Sequence, residues 1–138
     1  MHDWCETQAF IEEFVRQIST VSASPGFTWG GSGNIKNAYL LNDTVPSNTA
    51  GRLSPVNGTI NTIFITCELP STAVIEIRRR VGAVYTPIVT QSLGGTRKLT
   101  VNLISPPTVA KNDELTCFVS NFANVKNPVV GIIIRGTL

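Results

Sequence analysis

Apolar and polar residues alternate along several short stretches of this chain, which is the pattern of a β-strand with one buried face. Between Ile60 and Leu69, the residues predicted to face inward are Ile63, Ile65, Cys67 and Leu69. Three later stretches repeat the pattern, with the inward sets Ala73, Ile75 and Ile77, then Leu99, Val101 and Leu103, then Leu115, Cys117 and Val119. Successive residues of a strand lie on opposite faces, so alternation with a period of two predicts that the body of the chain is a β structure.

Turn-forming residues separate these stretches, at Leu69-Pro70-Ser71, Gly94-Gly95 and Ser105-Pro106-Pro107. Before Ile60, the runs FTWGGSGN, AYLLNDT and GRLSPVNGT are predicted to form short strands or extended arms. Roughly eight strands with no helical pattern between them are typical of a sandwich or jelly roll. The predicted fold class is therefore mainly β, a jelly-roll-like antiparallel β-sandwich preceded by one N-terminal α-helix.

The helix is predicted within residues 1–24, where Asp3 and Glu6 suit its N-terminal end. Apolar side chains recur at spacings of three and four, as on a face that packs against another helix. One alternative is that this face packs on the chain's own domain, but the linker STVSASPG favours a separate helix that anchors or assembles. The predicted domains are thus residues 1–24 for assembly and residues 25–138 for the sandwich, and the predicted helix contacts are Trp4, Ile11, Phe14, Ile18 and Val21.

Charge is sparse, since charged residues make up 14% of the chain and hydrophobic residues 42%. Partners are therefore expected to cover part of the surface, and an oligomer is predicted. A formal net charge of +2 is too small to indicate nucleic acid binding. The sequence has neither a bilayer-spanning apolar stretch nor a signal peptide, so we expect no membrane association and a cytoplasmic site of synthesis.

The run PVVGIIIRGTL is apolar on both faces, so this strand is predicted to be either central in a sheet or part of a subunit interface. Val130, Ile132 and Ile134 are the predicted interface residues. The run from Arg78 to Arg80 has two interpretations, a contact with an acidic partner or a solvated strand end, and its alternate members are expected to point in opposite directions.

Catalytic signatures are absent from the sequence of the body, because the single histidine is His2. A glycosidase pair could be drawn only from the carboxylates Asp43, Glu68, Glu76, Asp113 and Glu114. The three cysteines show no metal-ligand spacing, and Cys67 and Cys117 are predicted to be core residues, with a disulfide between them as the alternative. We therefore predict a protein that is not an enzyme and has no metal and no cofactor.

A resemblance adds to these expectations. The run PGFTWGGSGNIKNAYLLNDTVPSNTAG, the short alternating strands and the closing KNPVVGIIIRGTL resemble small structural proteins of tailed bacteriophages, namely head-decoration, head-fibre, collar and tail-appendage proteins. The same runs are similar to the trimeric jelly rolls at the tips of collagen-like surface fibres. This likeness rests on glycine and turn patterns over residues 25–138.

The resemblance implies a homotrimer in the virion, with the capsid, the portal or collar, or the tail as its partner. The predicted function is a non-enzymatic virion component that oligomerises through its β domain and is anchored by its N-terminal helix. The alternative is a receptor- or carbohydrate-binding module, in which Trp29, Tyr39 and Tyr85 would stack on sugar rings.

Overall fold

The structure, a computed structural model, describes residues 26–136. The predicted N-terminal helix lies outside these residues. Residues 26–136 contain no helix, and so none that could cross a membrane. Their strands are β1 Gly26–Gly30, β2 Asn34–Ile35, β3 Ala38–Tyr39, β4 Leu41–Asn42, β5 Val45–Pro46, β6 Arg52–Leu53, β7 Gly58–Ser71, β8 Val74–Val81, β9 Val84–Ser92, β10 Thr96–Asn102, β11 Thr108–Val109, β12 Glu114–Val119, β13 Val125–Lys126 and β14 Val129–Gly136.

A seven-stranded antiparallel sheet contains the longest strand, β7. Its strand order is β10-β7-β14-β1-β4-β5, and β11 pairs with the start of β7. Strand β14 is central, because it pairs along its whole length with β7 on one side and over Val129–Ile133 with β1 on the other. The prediction of a central position for PVVGIIIRG is thereby confirmed.

A five-stranded antiparallel sheet has the order β3-β12-β8-β9, with β6 also paired to β12. Strands β13 and β2 form a separate, two-stranded antiparallel sheet. The predicted turn at Gly94-Gly95 is present between β9 and β10, and both glycines have positive φ angles, 62° and 87°, which favour glycine. The mainly β, antiparallel character that the alternation predicts is therefore confirmed.

Both large sheets contribute to one hydrophobic core. Ile63, Ile65, Ile132 and Ile134 enter it from the seven-stranded sheet, and all four are fully buried. The five-stranded sheet contributes the predicted inward residues, which are also fully buried: Ala73, Ile75, Ile77, Leu115, Cys117 and Val119. Leu99, Val101 and Leu103 are partly buried and pack against this core. Two antiparallel sheets around a shared core form the layered arrangement of a β-sandwich.

The prediction that Leu69 faces inward is wrong. The side chain of Leu69 is 55% exposed, because β14 pairs with β7 only as far as Thr66 and leaves the end of β7 beyond the sandwich. Near the other end of β7, a register shift opposite Ile133 and Ile134 leaves Asn61 as an extra residue. This bulge resets the alternation, so both Ile60 and Ile63 are buried although they lie three residues apart.

Cys67 and Cys117 are both buried and free, so the alternative of a disulfide between them is not realised. Burial raises the pKa of both thiols, and for Cys67 this effect is opposed by a hydrogen bond to the Leu69 carbonyl and by the charge of Arg97. The prediction that both cysteines act as small core residues is confirmed.

The raised pKa of Cys117 makes stability depend on pH above the ordinary thiol value of 9.0. The buried thiol keeps its proton while the unfolded thiol loses it, so the free energy of unfolding should fall by about 1.4 kcal/mol per pH unit above that value. Urea unfolding of the reduced protein between pH 7 and pH 10 measures this loss. In Cys117→Ala, the decrease in the free energy of unfolding per pH unit should be smaller by that amount. An equal decrease per pH unit in the two proteins would contradict the prediction.

Candidate functional site

The outward face of the seven-stranded sheet is nearly free of charge at its centre. Strand register and alternation place a set of neutral residues there, on four adjacent strands. We call this set the outer sheet face: Thr28, Thr62, Phe64, Thr66, Thr100, Val129, Gly131 and Ile133. A broad neutral face with apolar members is unusual for a surface in contact with water alone, and it is typical of an interaction surface.

Apolar groups stand at the middle of this face. Val129 and Ile133, on the outward side of β14, are 44% and 37% exposed. Between them lies Gly131, and the Phe64 ring covers the space that a side chain at Gly131 would fill, since a Cβ there would be 1.9 Å from the Phe64 Cζ. The end of the ring therefore lies over Gly131 on the central strand, and we call Phe64, Val129 and Ile133 the apolar strip.

A cleft of about 280 Å³ adjoins this strip beside β1. Gly30 contributes only backbone to it, with Val129 on one side and Leu41 on the other. Arg52 also lines the cleft, where its guanidinium donates to the Thr28 carbonyl at 3.2 Å and lies 3.7 Å from the Asp43 carboxylate. The cleft, which Asp43 also lines, thus joins an apolar part to an ion pair.

The outward face of the five-stranded sheet has a different character. The rings of Tyr39 and Phe118 lie 4.9 Å apart, and those of Tyr39 and Tyr85 lie 5.4 Å apart. The Arg78 guanidinium lies 3.8 Å from the centre of the Phe118 ring, donates to the Tyr39 hydroxyl and pairs with Glu76 at 2.9 Å. Burial alone would lower the pKa of Arg78, but these two hydrogen bonds and the charges of Glu76 and Tyr39 together outweigh burial and raise it.

The arginine run is divided between two faces, as alternation predicts. Arg78 and Arg80 lie on the aromatic side, where Arg80 pairs with Glu114 at 3.5 Å. Arg79 points the other way, pairs with Asp113 at 3.2 Å and donates to the Thr108 carbonyl. Each arginine therefore has a carboxylate from its own chain, which weakens the interpretation of the run as a contact for an acidic partner.

The predicted interface residues on β14 are corrected by the structure. Val130, Ile132 and Ile134 are fully buried in the core of their own chain, so their side chains cannot contact a partner. Since both faces of this strand are apolar, the sequence does not show which set faces outward. The structure assigns the outward positions to Val129 and Ile133. The predicted contacts of the helix, Trp4, Ile11, Phe14, Ile18 and Val21, lie outside the described residues.

The predicted sugar contacts are separated by the structure. Trp29 is 1% exposed, since it points into the core from β1, so it cannot stack on a ligand. Tyr39 and Tyr85 are brought together and partly buried. Their hydroxyls are engaged, since that of Tyr39 accepts from Arg78 and that of Tyr85 donates to the Asn48 carbonyl at 2.8 Å.

Among residues 26–136, no three His, Cys, Asp or Glu side chains are grouped so that they could hold a metal ion. The carboxylates considered for a glycosidase pair are engaged with cations of the same chain, as in the pairs of Glu76, Asp113 and Glu114 described above and that of Glu68 with Lys126 at 3.4 Å. Asp43 lies beside Arg52.

Comparison with protein-family models gives no match, and searches of curated proteins and of solved structures give none either.

Sequence reasoning missed the outer sheet face. Four of its eight members are threonines. Alternation places Thr62, Phe64 and Thr66 on one side of β7, and Val129 and Ile133 on one side of β14, but it does not show that these sides belong to one face.

Proposed function

We propose that this protein is a non-enzymatic structural component of a bacteriophage virion, a decoration, fibre or collar protein, that oligomerises through its β domain. The observation that carries the proposal is the outer sheet face, whose exposed Val129 and Ile133 flank the Phe64 ring without a charged side chain between them. Burying such an apolar surface against a second protein surface is favourable, because each Å² of apolar area removed from water contributes roughly 25 cal/mol.

The virion part of the proposal is supported by the resemblance of residues 25–138 to small phage structural proteins. The jelly-roll-like strand order, the homotrimer and the anchoring N-terminal helix belong to the same proposal. Within it, the outer sheet face replaces Val130, Ile132 and Ile134 as the surface that copies of the chain share.

The double variant Val129→Asp with Ile133→Asp should dissociate the full chain to monomers. Two carboxylates in the middle of the apolar strip would be buried without partners on association, which costs several kcal/mol. Light scattering of the purified full chain and of the variant measures the masses.

A matched control is Val81→Asp with Val84→Asp, which changes two valines that are 68% and 64% exposed in the β8–β9 hairpin. This control should keep the mass of the original protein. A monomeric original protein, or a double variant with unchanged mass, would contradict assembly through the outer sheet face.

The second candidate is a carbohydrate- or receptor-binding module, which the adjacency of Tyr39 and Tyr85 favours. Both rings lie on the five-stranded sheet, away from Val129 and Ile133. Glycan affinity that survives Val129→Asp with Ile133→Asp and is lost in Tyr85→Ala would therefore support this candidate.

A further inference from the structure

Strand β1 forms the floor of a groove across the outer sheet face. Its outward residues are small, Gly26, Thr28 and Gly30, while larger side chains stand along β14 on one side and, at Gly30, on β4 on the other. Ile133 and Val129 of β14 form one wall, and Leu41 contributes to the other at the cleft. We call this the β1 groove: Gly26, Thr28, Gly30, Leu41, Val129 and Ile133.

The surroundings of the β1 groove are cationic. Arg52 and Asp43 both line the cleft and pair with each other at 3.7 Å, so together they add no net charge, and the cationic character comes from two other residues. Lys98 and Arg135 are exposed on the outward side of the same sheet and take part in none of the ion pairs described among residues 26–136. Glu68, the other acid on this side, already pairs with Lys126. An acidic segment is therefore the complementary occupant.

Residues 1–24 of the chain have the matching chemistry. Four acidic residues and one arginine give them a net charge of −3. Their apolar residues recur at the spacing of a helix face, and a helix over residues 4–21 would be about 27 Å long. The wall that Val129–Ile133 of β14 form beside β1 is about 17 Å long, so about three turns of such a helix would lie along it. We propose that residues 4–21 of one copy bind in the β1 groove of a second copy. This inference rests on the proposed function, because it names the segment that binds the outer sheet face when copies assemble.

The direction of β1 favours a second copy over the same copy. The chain enters the sheet at Gly26, opposite Ile133, and reaches the cleft only at Gly30, opposite Val129. A segment of the same copy would have to reverse within a few residues, whereas a segment of a neighbour can approach freely. Such a contact is head-to-tail, and it can close into a ring such as a trimer.

Complementation between two full-length variants tests this arrangement. Phe14→Asp damages the segment and leaves the groove intact, while Gly30→Leu fills the cleft and leaves the segment intact. A Cβ at Gly30 meets only the Pro128 carbonyl, at 3.7 Å, so the fold should tolerate the change. Each variant alone should be monomeric by light scattering. An equimolar mixture should show a twofold rise in mass. The intact segment of Gly30→Leu can bind the intact groove of Phe14→Asp, and neither chain of this pair can then bind a third.

Two further variants keep the test decisive. Thr28→Arg blocks the groove floor with an exposed residue if Gly30→Leu does not fold, and Thr90→Arg, exposed on the five-stranded sheet, is its matched control with unchanged mass. A mixture that stays monomeric overturns docking between copies. If Phe14→Asp keeps the original mass while Val129→Asp with Ile133→Asp is monomeric, the segment is not the occupant and the proposed function stands. If the original protein is itself monomeric, the proposed function fails as well.

Discussion

Replacing Ile132 by alanine should lower the free energy of unfolding by about 2–5 kcal/mol, the range for large-to-small changes in a closed core. Ile132 is fully buried on the central strand β14, opposite the fully buried Ile63 of β7. The side chain has packed neighbours from both sheets, so the space it leaves cannot collapse easily. Urea or thermal unfolding followed by circular dichroism measures the loss.

The adjacent residue is the matched control. Ile133 has the same side chain on the same strand but is 37% exposed on the outer sheet face. Ile133→Ala should cost less than about 1 kcal/mol when both variants are unfolded in the background of Val129→Asp, in which the chain is expected to be monomeric, because a partly exposed residue buries less area. Similar losses for the two variants would show that the assignment of the inward and outward faces of β14 is wrong.

Replacing Gly58 by alanine should destabilise the protein by about 3 kcal/mol, at the upper end of the range for overpacking. A Cβ at Gly58 would lie 2.2 Å from the Arg135 carbonyl oxygen and 2.9 Å from the Gly136 Cα, both of them backbone atoms of β14. A flexible side chain could move aside, but here two paired strands must separate. Chemical unfolding measures the change in stability.

Gly26→Ala provides the comparison, since a Cβ at Gly26 would meet only the Ile132 carbonyl oxygen at the ordinary distance of 3.5 Å. This variant should be neutral or more stable by up to about 1 kcal/mol, because alanine has fewer unfolded conformations than glycine. Equal midpoints for Gly58→Ala and the original protein would contradict the close approach of β7 and β14.

The alternation of the sequence predicted the five-stranded sheet well. Ile75, Ile77, Leu115 and Cys117 are all buried, because β8 and β12 lie side by side without a register shift between them. The prediction for Leu69 failed because it depends on where β14 stops. The bulge at Asn61 also depends on the partner strand, and no local pattern announces it.

The candidate site was less predictable, for a physical reason. Trp29 has the chemistry of a sugar contact, and only its register opposite Val130 shows that it points inward. The two apolar faces of β14 are equivalent in the sequence, so their assignment requires the sheets themselves. The adjacency of Tyr39 and Tyr85 likewise depends on β12 and β8, which bring β3 and β9 into one sheet.

The pairing of β1 with β14 has a consequence for biosynthesis. Gly26 contacts a strand more than a hundred residues later in the chain, and that strand also fills the centre of the larger sheet. While the chain is still on the ribosome, β1 and β7 have no strand between them until residues 129–136 have emerged. Closing such long loops is slow, and β-sandwiches with many non-local contacts fold in milliseconds to seconds. Until then the inward faces of both strands lack the strand that joins them, and chains with unpaired strand edges and exposed apolar surface are prone to aggregate.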